Sequence, residues 1–264
     1  MKILHLVLYS DDPTSKHCYE EMRGLTRQFY KIYENNVKTM YYKYDENIDK
    51  DICIHDDMIL VKGQESFTPG IINKTLAVFE YIVNIEMLDE YDYVVRTNIS
   101  MIVDFDELIK ELEMNPIDFI SGGETMTLNW NGGGITDSTW YGTQFVQGSN
   151  IIFTPEAIRF FASNQHLVRR DIIDDVTIGI FIREHKTDKY PPKKMRDGSF
   201  KIMTCLFTNT GQFNYTALME LVKQNNYIFY RNKCIFNGTM RNLDVIQMNA
   251  LIHCINIKNE SNGV

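Results

Sequence analysis

Two neighbouring carboxylates, Asp174 and Asp175, are the side chains with the clearest chemical use. They stand in the stretch IDDVTIG at residues 173–179, where the sequence predicts a helix over Asp175–Glu184. A carboxylate beside a substrate hydroxyl can accept its proton as a general base. The same acids would also stabilise a helix with no catalytic role, as an N-cap and as negative charge near the helix N-terminus. The pair therefore has a catalytic and a structural interpretation, and the sequence leaves both open.

A second group of polar side chains follows a buried strand. Residues 91–108 read YDYVVRTNISMIVDFDEL and predict that strand, a polar turn and the acidic start of a helix. Open α/β sheets bind ligands at the carboxyl ends of such strands, although a polar turn that only ends a strand would look the same. The candidates in the turn are Arg96, Thr97, Asn98 and Ser100.

Other candidates come from the predicted elements that precede this strand. The first two predicted strands, residues 2–9 and 37–44, should end at the same edge of a parallel sheet. A helix predicted from Pro69 onwards carries Lys74 near its start, where a solvated surface lysine is the alternative. The candidates at the two strand ends are Leu8, Tyr9, Ser10, Tyr44 and Asp45.

A loop rich in Gly, Asn, Thr and Trp spans residues 122–143 and is followed by a glycine-led strand. Aromatic faces suit the apolar faces of sugar rings, and packing against the core is the alternative use of the same side chains. A glycine in a strand allows close approach of a ligand or another backbone. The candidates here are Trp130, Trp140, Tyr141, Gly148 and Ser149.

The order of these elements predicts an α/β fold. Strands alternate with helices through the first 120 residues, which predicts a mostly parallel central sheet flanked by helices. The second half mixes strands, loops and helices, and the sequence has no clear linker. We expect one domain over residues 1–264, in which the regular alternation of strands and helices ends near residue 120.

The composition excludes some classes of function. A net charge of −8 argues against a nucleic-acid partner. Five scattered cysteines without a C-x-x-C pair predict reduced thiols, and the apolar run Ile3–Tyr9 fits a first strand better than a signal peptide. No apolar run approaches the ~18 residues of a membrane span. We therefore expect a cytoplasmic protein without a transmembrane segment.

Four segments, taken in order, resemble one enzyme family. The stretch Asn73–Leu76 resembles LTxKTxxxxxW, residues 91–108 resemble YDYxxRTDDDxYVxxDEL, residues 148–156 resemble GxGYxLSxE, and residues 173–179 resemble DDxTxG or EDVxxG. These are segments of GT-A-type glycosyltransferases of the fringe and β-1,3-galactosyltransferase-like superfamily. Soluble glycosyltransferases encoded by large DNA viruses also read RTN-x-S, and the resemblance covers roughly residues 70–185.

The resemblance implies a single GT-A-like (Rossmann-like) domain that transfers one sugar from a nucleotide-sugar, such as a UDP-sugar, to a hydroxyl of a glycan or glycoprotein acceptor. It implies inversion by single displacement, with Asp175 as general base and Asp174 in reserve. Residues 1–120 would bind the nucleotide and residues 121–264 the acceptor. The strand-end and turn candidates and Lys74 would contact the donor. The aromatic side chains, Gly148 and Ser149 would contact the acceptor or the sugar. If the protein is virus-encoded, its compartment would be the host cytoplasm.

The family holds a divalent cation, Mn²⁺ or Mg²⁺, through Asp-x-Asp, but the triplet here is Asn98-Ile99-Ser100. Either phosphate and other groups hold the cation, or basic side chains replace it. We therefore assign no metal ligand and no organic cofactor. Weak or absent metal dependence is expected, which activity in excess chelator would test.

Two other classes remain to be compared. The chain has no G-x-S-x-G and no Walker-type loop, which argues against a serine hydrolase and a P-loop enzyme. The remaining alternative is a non-catalytic nucleotide-sugar or glycan-binding protein derived from a transferase, in which the neutral triplet marks lost activity.

Overall fold

The computed structural model describes residues 1–11, 16–136, 138–186, 191–204, 206, 213–234 and 241–262. The strands in these residues are β1 (Ile3–Leu8), β2 (Val37–Asp45), β3 (Ile52–His55), β4 (Met58–Lys62), β5 (Tyr93–Asn98), β6 (Met101–Val103), β7 (Ile120–Gly122), β8 (Thr125–Thr127), β9 (Gln144–Val146), β10 (Asn150–Phe153), β11 (Lys193–Lys194), β12 (Phe200–Met203) and β13 (Phe229–Asn232). The helices are α1 (Tyr19–Tyr30), α2 (Gly70–Asn84), α3 (Phe105–Met114), α4 (Pro155–Ser163), α5 (Asp174–His185), α6 (Tyr215–Gln224) and α7 (Asn242–Asn262).

The chain divides into two compact units. The first consists of Met1–Ser10, Asn35–Asn98 and Ile117–Met195, and the second of Asp11–Glu34, Ile99–Pro116 and Arg196–Val264. The expected division into functional halves at residue 120 stays a prediction. Within the described residues, no helix is both long enough and apolar enough to cross a membrane.

The first unit contains an eight-stranded sheet with the order β11-β7-β10-β5-β1-β2-β4-β3. Four of its seven neighbouring strand pairs are parallel, namely β1–β2, β1–β5, β2–β4 and β7–β11. The strand β1 reads ILHLVL and is almost wholly buried, as expected for a central strand covered on both faces. The predicted α/β class with a mostly parallel central sheet flanked by helices is confirmed.

Strand register fixes which residues meet at the edge of this sheet. Leu8 pairs with Tyr42 in β2 and with Asn98 in β5, so β1 and β5 end at the same level, whereas β2 continues to Asp45. The strand β10 runs antiparallel to β5, with Asn150 opposite Thr97. Because β10 starts where β5 ends, the residues before Asn150 lie beside the carboxyl end of β5.

Helices α2, α4 and α5 pack on one face of the sheet through a cluster of apolar side chains. The rings of Phe79 in α2 and Phe153 in β10 have centroids 5.2 Å apart. The rings of Phe161 in α4 and Phe181 in α5 have centroids 4.8 Å apart. This aromatic packing fixes the start of α5 relative to the strand ends.

The second unit has a three-stranded sheet, with β13 between β12 and β6. Helix α3 begins after Asp104, whose Oδ1 accepts a hydrogen bond from the backbone N–H of Glu107. The buried Lys258 of α7 lies 3.1 Å from Asp104 Oδ2 and 3.4 Å from Glu107 Oε1. This buried ion pair holds α7 against the start of α3.

The structure differs from the predicted elements in several places, of which three bear on the site or the second unit. The strand predicted over residues 145–154 is two strands, β9 and β10, which are separated by residues 147–149. The predicted loop 122–143 contains the short strand β8, which pairs with β9. Helix α6 was not predicted, although Asn214 caps its first turn by accepting a hydrogen bond from the N–H of Ala217. The sequence also predicts a first helix that starts at Pro13, and this position lies outside the described residues.

Two glycines in helices should respond to alanine in opposite directions. An added Cβ at Gly24 in α1 would meet no atom within 4 Å, whereas at Gly179 in α5 it would lie 2.5 Å from Phe145 Cβ and 2.8 Å from Gln144 O. We expect Gly24→Ala to raise the unfolding free energy by about 0.5–1 kcal/mol, because alanine loses less backbone entropy in a helix. Gly179→Ala should lower it. Urea denaturation of both variants measures this, and equal effects would contradict the packing of α5 on β9.

Candidate functional site

The end of β5 and the start of α5 both form hydrogen bonds with residues 148 and 149. The backbone N–H of Asn98 donates a 3.2 Å hydrogen bond to the carbonyl oxygen of Ser149. The backbone N–H of Gly148 donates a 2.9 Å hydrogen bond to Oδ2 of Asp175. Asn98 and Asp175, which are 77 positions apart in the sequence, therefore bond to consecutive residues of one short segment.

Asp175 combines partial burial with a fixed carboxylate. Its second oxygen, Oδ1, accepts a 2.9 Å hydrogen bond from the N–H of Val176. Burial and then the charge of Asp174 raise the pKa of Asp175 to about 6, while the N–H groups of Gly148 and Val176 and the charge of Arg96 oppose this shift. A carboxylate with such a pKa is largely ionised at neutral pH and still basic enough to accept a proton.

Gly148 is needed for the position of Asp175. A Cβ at residue 148 would lie 3.0 Å from Asp175 Cβ and 3.1 Å from its Oδ2. A side chain at residue 148 would therefore require the Asp175 side chain to move by a few tenths of an ångström. The glycine predicted to allow close approach is thus approached by Asp175 itself.

Arg96 is only 1% exposed and contacts both the Gly148 segment and the start of α5. Its Nη2 donates to Asp174 Oδ2 at 2.6 Å, its Nη1 to the carbonyl oxygen of Gly148 at 2.5 Å, and its Nε to Tyr42 Oη at 3.2 Å. The Asp174 side chain is 13% exposed. The partners described for Arg96 are all groups of the protein, and its predicted contact with the nucleotide-sugar stays a prediction.

Lys74 and Tyr44 meet around an acid that the sequence analysis did not single out. The buried Lys74 Nζ donates to the carbonyl oxygen of Tyr9 at 2.9 Å and to both carboxylate oxygens of Glu65 at 2.7 and 2.6 Å. The N–H of Tyr44 donates to Glu65 Oε1 at 3.0 Å, and Lys74 Nζ lies 5.5 Å from the centre of the Tyr44 ring. The charge of Lys74 is therefore balanced by Glu65.

A second cation lies near Tyr44 with neutral partners. Arg170 Nη1 donates to Asn73 Oδ1 at 2.6 Å and Nη2 to the carbonyl oxygen of Gln165 at 3.0 Å. Burial lowers the pKa of Arg170, and the neighbouring Tyr44 opposes this shift. The positive charge of Arg170 has no carboxylate among its described hydrogen-bond partners.

The remaining strand-end candidates occupy the same edge of the first unit. Leu8 and Ser10 are partly buried. Asp45 Oδ1 accepts a hydrogen bond from the N–H of Asn47. The hydroxyl of the buried Thr97 lies 2.8 Å from His5 Nε2, and burial lowers the pKa of His5 to about 3, so this imidazole is neutral.

The aromatic candidates surround the residues next to the carboxylate pair. Trp130 and Trp140 pack against a buried cluster that includes Ile172 and Val176, and Ile173 packs against the same cluster. Arg169 lies over the Trp140 ring at 5.3 Å, and Tyr141 Oη donates to Asn131 Oδ1. Ser149 is buried, and its hydroxyl donates to Gln147 Oε1. Trp130 and Trp140 thus combine core contacts with partly exposed surface, whereas Tyr141 is exposed.

The neutral triplet does not fit the usual ligand set of a hard divalent cation, which prefers carboxylates. Asn98 Oδ1 is buried and has no hydrogen-bond partner in the described part of the chain. Ser100 belongs to the second unit, where it is 5% exposed. Among the described residues, no group of three or more His, Cys, Asp and Glu side chains could hold a metal ion. The role predicted for Ser100 stays a prediction.

Three polar residues of this region escaped the sequence analysis. Met40, Tyr42 and Tyr44 are at alternate positions of β2 and share its buried face. A phenol buried there usually has a hydrogen-bond partner. The pattern of β2 could therefore have marked Tyr42 as a buried polar residue, but it could not have identified its hydrogen-bond partner. Thr75 lay inside a quoted motif, and Glu65 stands in a loop where no pattern marks it.

The whole chain is similar in fold to solved glycosyltransferases. One is a glycosyltransferase involved in the glycosylation of the major capsid of PBCV-1, with a TM-score of 0.49 and 10% identity over 94% of this chain and 99% of that chain. Another is the galactosyltransferase LgtC in complex with donor and acceptor sugar analogues, with a TM-score of 0.44 and 9% identity over 96% of this chain and 95% of that chain. No family model and no curated protein matches the sequence.

The buried position of Arg96 predicts a large loss of stability on its removal. Arg96→Met should lower the unfolding free energy by about 3–5 kcal/mol, because it leaves the carboxylate of Asp174 buried without its partner. Arg159→Met is the matched control, since Arg159 is 47% exposed in its pair with Asp89. That control should cost no more than about 1 kcal/mol. Chemical denaturation measures both, and similar losses would show that Arg96 is not the buried anchor described above.

Proposed function

We propose that the chain is an inverting glycosyltransferase that moves one sugar from a nucleotide-sugar, most simply a UDP-sugar, to a hydroxyl of a glycan acceptor. The observation that carries this proposal is the position of the Asp175 carboxylate. It is bonded to Gly148, next to the residue that bonds Asn98, at the edge where β1 and β5 end. Open α/β sheets bind ligands at such edges.

The reaction needs one base and one leaving group. The acceptor oxygen attacks the anomeric carbon and forms the new C–O bond, while Asp175 accepts the hydroxyl proton. The bond between the anomeric carbon and the diphosphate oxygen breaks, and the nucleoside diphosphate leaves with the electron pair. Attack opposite the leaving group inverts the anomeric centre. Asp174 is a weaker candidate for the base because its carboxylate is paired with Arg96.

The donor would lie along the strand ends of the first unit. Asn98 Oδ1, which has no hydrogen-bond partner among the described residues, would accept a hydrogen bond from a hydroxyl of the nucleotide-sugar. Leu8, Tyr9, Ser10, Tyr44, Asp45 and Thr97 line the same edge. Because Glu65 balances Lys74, we assign the diphosphate to Arg170, whose partners are neutral. The acceptor would approach Asp175 from the side of Trp130, Trp140 and Tyr141.

A binding protein without catalysis is the second candidate, and the neutral Asn98 in place of an acid is the observation that favours it. Release of free nucleoside diphosphate from a panel of nucleotide-sugars separates the two candidates. A transferase releases it slowly even without acceptor. A binding protein would be stabilised against heat by the same compound without consuming it.

Asp175→Asn tests the proposed base. We expect turnover to fall by about 10²–10⁴-fold, the usual contribution of a general base, because an amide cannot accept the proton. Donor affinity should stay within a few-fold of the unchanged protein. The control is Asp89→Asn, an exposed acid of the same unit, which should leave turnover unchanged. Unchanged turnover in Asp175→Asn would remove the assignment.

Arg170→Gln tests the proposed diphosphate contact. We expect donor affinity to fall by about 10- to 100-fold, because a hydrogen bond to a charged group contributes about 1.5–3 kcal/mol. The neighbouring Arg169→Gln is the control, since Arg169 pairs with Asp171 at 2.6 Å, and it should leave donor affinity unchanged. Calorimetric titration with the nucleoside diphosphate measures both. Equal losses would point to general charge, and no loss in Arg170→Gln would exclude the contact.

A further inference from the structure

One guanidinium holds both acids of the pair, each in a different way. Arg96 binds the carboxylate of Asp174 directly at 2.6 Å. It also binds the carbonyl oxygen of Gly148 at 2.5 Å, and the N–H of the same glycine binds Asp175. Arg96 is therefore connected to Asp175 through Gly148 as well as through the neighbouring Asp174.

Arg96 is in turn fixed by a chain of hydroxyls. Thr75 Oγ1 donates its hydrogen to the carbonyl oxygen of Ile71 at 2.8 Å. In the 3.0 Å contact between Tyr42 Oη and Thr75 Oγ1, the hydrogen must then come from Tyr42. The phenol oxygen keeps its lone pairs for the N–H of Arg96 at 3.2 Å. Each of these hydrogen bonds has a fixed donor and a fixed acceptor, so the network favours one position of the guanidinium.

We infer that Arg96 is the positioning residue for the catalytic carboxylate, and that it acts through Asp174 and Gly148 rather than by contact with the donor. It holds Asp174 as an ion pair, which leaves Asp175 as the acid able to accept a proton. It also holds the carbonyl group of Gly148, which restricts the backbone of the residue whose N–H donates to Asp175. This inference rests on the proposed role of Asp175 as the base.

The charges around Asp175 make the inference measurable. The groups that face its carboxylate are the acid Asp174, the cation Arg96, and the N–H groups of Gly148 and Val176. Asp174 raises the pKa of Asp175 and Arg96 lowers it. Arg96→Gln should therefore move this pKa above about 6, and Asp174→Asn should move it below that value.

The experiment compares Arg96→Gln, Arg96→Lys and Asp174→Asn with the exposed control Arg159→Gln. The readouts are turnover against pH, donor affinity, and the pKa of Asp175 from carbon-13 NMR of aspartate carboxyls, assigned with Asp175→Asn. Turnover requires the ionised base, so it should rise with pH up to the pKa of Asp175 and then level. Arg96→Gln should shift this rise to higher pH and Asp174→Asn to lower pH.

The result expected for Arg96→Gln is a fall in turnover of about 100-fold above the new pKa, as for a misplaced catalytic group, with donor affinity within a few-fold. Arg96→Lys keeps a cation beside Asp174. Compared with Arg96→Gln, it should restore the pKa of Asp175 more fully than it restores turnover. Arg159→Gln should change none of these quantities.

Two results would overturn the inference. Weakened donor binding with an unchanged pKa would make Arg96 a direct donor contact. A lower melting temperature with unchanged turnover per folded molecule and unchanged pKa would make it purely structural. If Arg96→Gln does not fold, the double variant Arg96→Gln with Asp174→Asn removes the buried unpaired charge. It should lose more turnover than Asp174→Asn alone, and an equal loss would also overturn the inference.

Failure of the inference is separable from failure of the proposed function. If no nucleotide-sugar is turned over, the transferase proposal fails, yet the NMR titration still shows whether the two substitutions move the pKa of Asp175 in opposite directions. If Asp175→Asn abolishes turnover while Arg96→Gln behaves like the unchanged protein, only the inference fails.

Discussion

The buried ion pair between Arg96 and Asp174 is the interaction on which the rest of the site depends. Taking two ions out of water is unfavourable unless their remaining hydrogen-bonding groups are also satisfied. Here the planar guanidinium meets a carboxylate of α5, a carbonyl oxygen of the turn before β10 and a phenol of β2. The pair joins β5 directly to the start of α5, and the bond from Arg96 to the Gly148 carbonyl joins both to the turn before β10.

The start of α5 suits negative charge before any ligand is considered. Asp174 and Asp175 are its first two residues, where free N–H groups and the helix dipole favour anions. The two acids differ because their partners differ. Asp174 meets a cation, whereas Asp175 meets two backbone N–H groups and the charge of its neighbour. Two like residues that are adjacent in the sequence thus lie in different electrostatic environments, which is the condition under which such a pair can take separate roles.

Much of this arrangement follows from sequence patterns, and the rest does not for identifiable reasons. The apolar runs of β1 and β5 predict a parallel core, and the strand-end rule places Asn98 at the edge. The partners of Arg96 could not be predicted, because Tyr42, Gly148 and Asp174 lie 54, 52 and 78 positions away along the chain. Spacing in sequence carries no signal over such separations. The interruption between β9 and β10 was hidden as well, since it depends on a glycine packed against a distant aspartate.

The balance of charge constrains how the edge could receive a diphosphate. Of the three cations described near it, Lys74 is neutralised by Glu65 and Arg96 by Asp174, while Arg170 meets only an amide and a carbonyl oxygen. The acids that neutralise Lys74 and Arg96 also fix the backbone around Tyr44 and the start of α5, so freeing either cation would disturb the framework that holds the site. Among these three described cations, Arg170 is therefore the one whose charge is free of a carboxylate partner, and fixed backbone N–H dipoles near it would need no reorganisation as negative charge develops.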